Sequence, residues 1–301
     1  MFMEGLTVSD NAVMVRNVSV KLGRFELNVD TLDIKKGFIT GLIGKNGAGK
    51  TTLIKTVLDC IQPESGEILF DGVPMWGHEA VVKAKTAVVY DTLIYPQHLT
   101  ATKTAKIISP FYDFDWEIFH RLLERFGLRP HMRLSSYSRG MQVKFSVTMA
   151  LAHNPEILFL DEPTSGLDPT ARDDMLDVLL EFIQDENKTV FFSTHITSDL
   201  DKIADYIALI ENGRVVFNEV KDDMLDRFAM AHVEREALTD DVVRCLSGLK
   251  ENAFGCVGLC ADRALLQGKP GVRLARPTVE DIMIFRTKDR DNGQWTIDNG
   301  Q

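Results

Sequence analysis

Gly44-Lys45-Asn46-Gly47-Ala48-Gly49-Lys50-Thr51 fits the phosphate-loop pattern G-x-x-x-x-G-K-[ST]. Before it, Phe38-Ile39-Thr40-Gly41-Leu42-Ile43 is a short apolar run bounded by glycines and reads as a buried strand. After it, Leu53, Ile54, Val57 and Leu58 share one apolar helical face. A strand, a glycine-rich turn and a helix in that order aim backbone N–H groups and the positive end of the helix at a bound phosphate. Lys50 is expected to reach the β and γ phosphates, and the Thr51 hydroxyl to hold Mg²⁺. The eight-residue pattern alone arises by accident in about one chain of this length in a hundred. The flanking strand and helix make a chance turn a poorer reading still.

A second apolar strand, Ile157-Leu158-Phe159-Leu160, ends abruptly in Asp161 and Glu162. A buried parallel strand delivers the residues at its carboxyl end to the crevice where α/β folds bind ligands. Asp161 is then expected near the Mg²⁺ held by Thr51, and Glu162 is placed to take a proton from an attacking water. A strand simply running into solvent would leave the same two carboxylates, and is the poorer reading of this segment. Thr189-Val190-Phe191-Phe192-Ser193-Thr194 is the next buried strand and ends at His195. A lone histidine there is usually structural, but its position beside the carboxylate strand makes His195 a catalytic candidate.

Thirty-four basic against 44 acidic residues, a formal charge of -10, argue against non-specific nucleic-acid binding as the main task. Apolar runs fall far short of the roughly 20 residues that cross a bilayer. Met1-Phe2-Met3-Glu4-Gly5 has no basic patch leading into an apolar core, which predicts a cytosolic location. Cys60, Cys245, Cys256 and Cys260 are scattered apart from one C-x-x-x-C pair without a nearby histidine, and read as reduced apolar residues rather than zinc ligands.

Along the chain, alternation over Ala12 to Val20 and Phe25 to Val29, with Gly23 between, predicts an antiparallel sheet ahead of the loop. Glu67 to Phe70 and Asp71-Gly72 suggest a further hairpin, and Ala87 to Tyr90 a core strand. From about Thr100 to Ala152 the pattern is helical. Trp116, Phe119, Leu122, Leu123 and Phe126 recur at helical spacing, an aromatic stripe that reads as core rather than as a ligand platform. A helix is expected over Thr170 to Gln184, and Asn212-Gly213 reads as the turn of a hairpin. Beyond Glu219 a charged, helix-like stretch from Lys221 to Arg235 opens a small separate α+β domain. The polar tail from Lys288 to Gln301 is expected to be mobile.

Several signals now stand in one order. They are the loop at 44–51, Tyr137-Ser138-Arg139-Gly140-Met141-Gln142, Leu158-Phe159-Leu160-Asp161-Glu162-Pro163, Ser165-Gly166-Leu167-Asp168 and Ser193-Thr194-His195. Together they resemble the nucleotide-binding subunit of ATP-binding cassette transporters. The resemblance implies an α/β fold with a RecA-like P-loop core, an N-terminal antiparallel β subdomain, an inserted helical subdomain and a small C-terminal α+β accessory domain. It places the ATPase domain at 12–217, with the helical part at about 92–153, and the accessory domain at 218–287.

The resemblance further implies ATP and Mg²⁺ as ligands, with Gly44, Asn46, Gly47, Ala48, Gly49, Lys50, Thr51 and Thr52 around the phosphates. Two such subunits, identical or not, pair head to tail. On that pattern Ser138 and Gly140 contact the γ-phosphate bound by the partner, Asp168 connects the two sites, Glu162 polarises water and His195 senses the γ-phosphate. Closing on ATP then drives separate integral membrane permease chains, which would hold the subunit on the inner face of the cell membrane.

The chain departs from the family pattern at three places. Arg139 stands in the signature where a glycine is common, as in single-cassette bacterial exporter subunits. Asp91 replaces the glutamine expected near Mg²⁺, and Phe25 stands in for the adenine-stacking aromatic expected near Leu22. Pro277-Thr278-Val279-Glu280-Asp281-Ile282-Met283 resembles the end of exporter-type cassettes, such as those handling antimicrobial peptides or toxins. An alternative is a soluble cassette acting on ribosomes or nucleic acid. Such relatives fuse two cassettes or insert a long coiled coil, and neither pattern occurs in these residues. A regulatory cassette that binds ATP and hardly hydrolyses it is a third reading, against which Glu162 and His195 stand.

Overall fold

The strand preceding the phosphate loop, β3 (Ile39–Ile43), is buried at every position, as a strand covered on both faces must be. Around it the computed structural model describes residues 10–252 and 255–288; apart from Lys288, the tail expected to be mobile lies outside them. The chain divides into two compact units, one of residues 1–199 with 203–218 and one of 200–202 with 219–301.

In the first unit the remaining strands are β1 (Asn11–Leu22), β2 (Phe25–Lys35), β4 (Ser65–Phe70), β5 (Val73–Pro74), β6 (Thr86–Val89), β7 (Ile157–Asp161), β8 (Thr189–Thr194), β9 (Tyr206–Glu211) and β10 (Arg214–Val220). They form a single sheet of order β5-β4-β1-β2-β10-β9-β3-β8-β7-β6. The half from β9 to β6 is parallel, and β1 pairs antiparallel with both β2 and β4. Sequence reasoning expected the antiparallel strands as a subdomain at the front. They continue the same sheet, joined where β2 meets β10 at Arg214 and Asn28. The join is aromatic as well, because the Phe70 and Phe159 rings lie 6.4 Å apart and Phe159 meets Phe191 edge-on at 5.6 Å. Leu53, Ile54 and Val57 of the helix Lys50–Val57 enter that core.

The helical part contains the helices Ala101–Ile108, Trp116–Arg125 and Arg139–Ala152. Asp115 starts the second by accepting the N–H groups of Glu117 and Ile118 at 2.8 and 2.9 Å. The aromatic stripe is core: Phe119, Leu122 and Leu123 are buried, and Trp116 meets Phe119 edge-on at 5.6 Å.

The third helix ends at His153, whose ring stacks on Tyr112 with centroids 4.0 Å apart. Its Nε2 is buried without a hydrogen-bond partner among the described residues. Burial lowers its pKa from 6.5 to about 4. The unfolded chain therefore takes up a proton here below about pH 6.5, and the folded chain does so only near pH 4. Stability contributed above that window is lost as pH falls through it. His153→Phe, which keeps a flat ring on Tyr112, should flatten the loss of thermal stability between pH 6.5 and 4. An unchanged acid limb in melting curves would assign the loss to other groups.

In the second unit a four-stranded antiparallel sheet has the order β12-β13-β11-β14, with β11 (Ala229–Glu234), β12 (Leu246–Asn252), β13 (Gly255–Cys260) and β14 (Val272–Ala275). The charged stretch read as helix from Lys221 to Arg235 is helical only over Lys221–Arg227. The rest is β11, in which Ala229, Ala231 and Val233 alternate into a core with Val242, Leu246, Cys260 and Leu266. Burial on one face of a sheet overrides the local helical spacing. All four cysteines carry free thiols, and burial pushes those of Cys256 and Cys260 up.

Candidate functional site

Parallel pairing aligns the carboxyl ends of three strands. Ile43 is opposite Thr194, and Asp161 is opposite Ser193. The phosphate loop, Glu162 and His195 each follow one of these ends, so the register brings together residues far apart in the chain.

Gly49 precedes the helix Lys50–Val57 with φ 114°, a conformation that a β-carbon resists. A side chain there would also meet the Phe25 ring at 2.9 Å. The back of the loop rests on the predicted Asn212-Gly213 turn, both of whose residues have positive φ, as a type I′ hairpin requires. The Gly213 N–H donates to the Ala48 carbonyl at 2.8 Å, and a β-carbon on Gly213 would lie 1.9 Å from the Glu26 carbonyl oxygen. Gly213 is thus held to glycine by close packing as well as by its turn.

Inside the loop Lys50, only 6% exposed, donates to the Gly44 carbonyl at 2.8 Å and pairs with Glu162 Oε1 at 3.2 Å. The other carboxylate oxygen, Oε2, accepts from His195 Nδ1 at 2.5 Å and from the His195 backbone N–H at 3.3 Å. Glu162 itself has φ 54°, a left-handed conformation that costs a residue with a β-carbon about 1–2 kcal/mol. Its backbone N–H is fixed by the Ser193 carbonyl at 3.0 Å and the Ser193 hydroxyl at 3.2 Å.

Asp161, 1% exposed, accepts from the Thr51 hydroxyl at 2.7 Å through Oδ2 and from the Ser193 hydroxyl at 2.6 Å through Oδ1. Two hard oxygens side by side at a helix start suit Mg²⁺, which is held by one or two protein oxygens together with substrate phosphates. Among the described residues no three His, Cys, Asp or Glu side chains gather into a metal cage. A cation here would need the rest of its shell from phosphate and water.

These residues border a cleft of about 630 Å³. Of those singled out from the sequence, Phe25, Asn46, Gly47, Gly49, Lys50, Thr51, Thr52, Asp91, Glu162 and His195 line it. Gly44 and Ala48 shape the loop from behind, and Asp161 lies beneath Thr51. Ser138, Gly140 and Asp168 are outside this lining. Ser138 caps the helix Arg139–Ala152 by accepting the Met141 N–H at 3.3 Å. Asp168 caps the helix Pro169–Phe182, and the Ala171 N–H that it accepts at 3.0 Å holds its carboxyl below the usual range.

Sequence reasoning missed Ser193 as the shared clamp of Asp161 and Glu162. It also missed Thr164, whose hydroxyl donates to the buried Asp199 at 2.6 Å and ties the turn after Glu162 to the segment after His195. Isolated hydroxyls give no periodic signal, so only the polar residues within an otherwise apolar strand pointed to Ser193. Leu22, Ser165 and Arg139 complete the cleft wall.

A parallel sheet with this loop and these carboxylates defines a P-loop nucleotide-binding fold. Residues 27–165 match the family model described as ABC transporter. The ABC transporter ATP-binding protein NatA of Bacillus subtilis is 33% identical over 207 residues, which cover 65% of this chain and 82% of NatA. The bacitracin transport ATP-binding protein BcrA of Bacillus licheniformis is 30% identical over 206 residues, covering 67% of each chain. In fold the chain is similar to an ATP-binding cassette solved as a dimer in a post-hydrolysis state with ADP and Pi, with TM-score 0.62 and 23% identity over 69% of this chain and 98% of that one. The chain belongs to the ABC transporter family, as an ATP-binding ATPase subunit. No helix among the described residues is long and apolar enough to cross a membrane.

Proposed function

We propose that this chain hydrolyses ATP in a Mg²⁺-dependent reaction and thereby powers export through separately encoded permease chains. The observation that carries the reading is the meeting of Lys50, Glu162 and His195 in one cleft, beside the Thr51–Asp161 pair. In this reading Lys50 and the loop N–H groups bind the β and γ phosphates, and Thr51, Asp161 and Asp91 serve the cation. Glu162 takes a proton from the attacking water, and His195 holds the terminal phosphate. Bound Mg²⁺ supplies charge neutralisation on the phosphates. Phe25, packed against Gly49, offers the ring for the adenine.

Ser138 and Gly140, at a helix start outside the chain's own cleft, are free to face nucleotide bound by a second subunit, with Asp168 beside the junction. The dimeric ADP-bound cassette is a precedent for pairing in a chain of similar fold. BcrA, named for bacitracin transport, points to an antimicrobial or peptide-like cargo.

The test of the coupling is to isolate the tagged chain from membranes of its own cell. Recovery with a multi-span hydrophobic chain that raises its ATP turnover is the expected result. Persistent recovery with ribosomes or DNA, and no such chain, would replace export with a soluble mechanical role.

A further inference from the structure

Arg139 occupies the first turn of the helix Arg139–Ala152, beside the two signature residues read as serving a partner's nucleotide. Its side chain nevertheless borders the cleft of its own chain, together with Lys50, Glu162, Ser165 and His195. On its way the side chain runs past Gly166: Arg139 Cδ and Nε lie 3.9 and 4.0 Å from where a Gly166 β-carbon would stand, an ordinary contact distance.

Arg139 is exposed, and its guanidinium makes no hydrogen bond or ion pair with another described residue. Its five N–H donors, in a planar fork suited to phosphate oxygens, are therefore uncommitted. Lys50, by contrast, pairs with the Glu162 carboxylate, with which an arriving phosphate must compete for it. A triphosphate brings several negative charges into a cleft that also contains the Glu162 carboxylate, and an unmatched guanidinium adds to Lys50 in answering them.

We propose that Arg139 binds the terminal phosphate of nucleotide held by its own chain, in cis, in addition to the trans contacts assigned to Ser138 and Gly140. The proposal rests on the reading of the cleft as the ATP site. It gives the departure from glycine at this signature position a binding role and makes the two faces of the signature turn serve two different nucleotides.

The test is calorimetric titration of the full chain with Mg-ATP and Mg-ADP, at concentrations where sedimentation finds single chains only. Arg139→Met keeps an unbranched stem along Gly166 and removes the charge; Arg139→Lys keeps the charge without the fork. ATP affinity should fall about tenfold in the Met variant and by an intermediate factor in the Lys variant, whereas ADP affinity should change by less than about twofold. Unchanged ATP affinity in single chains overturns the proposal, including when ATP-driven pairing is lost, because that outcome assigns Arg139 to the partner's nucleotide. Lys50→Ala, titrated alongside, separates the two failures. If it weakens ATP binding and Arg139→Met does not, the cis role alone falls. If Lys50→Ala and wild type bind ATP alike, the cleft is not the ATP site and both readings fall.

Discussion

Glu162→Gln is expected to lower ATP turnover by about 10²–10⁴-fold while ATP stays bound. Glutamine keeps the shape of the side chain and loses its capacity to take a proton. Glu162 also does something besides chemistry. Its two oxygens engage Lys50 at 3.2 Å and His195 at 2.5 Å, the same two groups assigned to the terminal phosphate. An arriving γ-phosphate competes with the carboxylate for both. The Gln variant competes less, so it should bind ATP several-fold more tightly than wild type, with ADP affinity unchanged because ADP has no γ-phosphate. Phosphate release and paired ATP and ADP titrations check both halves. Wild-type turnover in the variant would remove Glu162 from the proton transfer, and an equal gain for ADP would remove the competition.

Lys50→Ala should act on the other side of the reaction, weakening ATP binding at least about tenfold and abolishing turnover with it. Lys50 is buried, and its ammonium is aimed by the Gly44 carbonyl. A charge-assisted hydrogen bond is worth about 1.5–3 kcal/mol, and each 1.4 kcal/mol is a factor of ten in affinity. The substitution also leaves Glu162 Oε1 without its cation, so an uncompensated carboxylate faces the incoming phosphates. Lys50→Arg should rescue little, because a guanidinium is wider than the ammonium that fits beneath the loop. Nucleotide titration with a circular-dichroism control for folding decides it. Retained ATP affinity in a folded Lys50→Ala chain would take the loop out of the binding site.

The parts of this site that were legible in the sequence are those encoded contiguously. Eight adjacent residues specify the phosphate loop, and an apolar run that stops at Asp161 and Glu162 specifies a strand end. The predicted Asn212-Gly213 turn needed only two residues, because both must adopt positive φ. Links across the fold left no such trace. Ser193 reaches Asp161 across 32 positions and Thr164 reaches Asp199 across 35, and only strand register brings each pair together. The misread helix beyond Arg227 shows a different limit. Ala229, Ala231 and Val233 alternate, but the apolar and buried Met230 between the first two blurs the alternation, and the deciding influence is the facing core of a sheet whose other strands come later in the chain. The place of Arg139 on the cleft wall was hidden for a similar reason, since the residues it joins there are distant in the chain and meet only in the fold.

The backbone at Glu162 carries a consequence for how such a chain ages in evolution. Its left-handed conformation is one that asparagine or glycine enters more easily than glutamate. The local backbone therefore offers no protection to the residue assigned the proton transfer; what the fold asks of it is the ion pair with buried Lys50. Against that preference, the ion pair with Lys50 and the proposed proton transfer keep glutamate at 162. Where the proton transfer is no longer needed, drift at this single position would turn the proposed motor into an ATP-gated latch, with the loop and the sheet left in place.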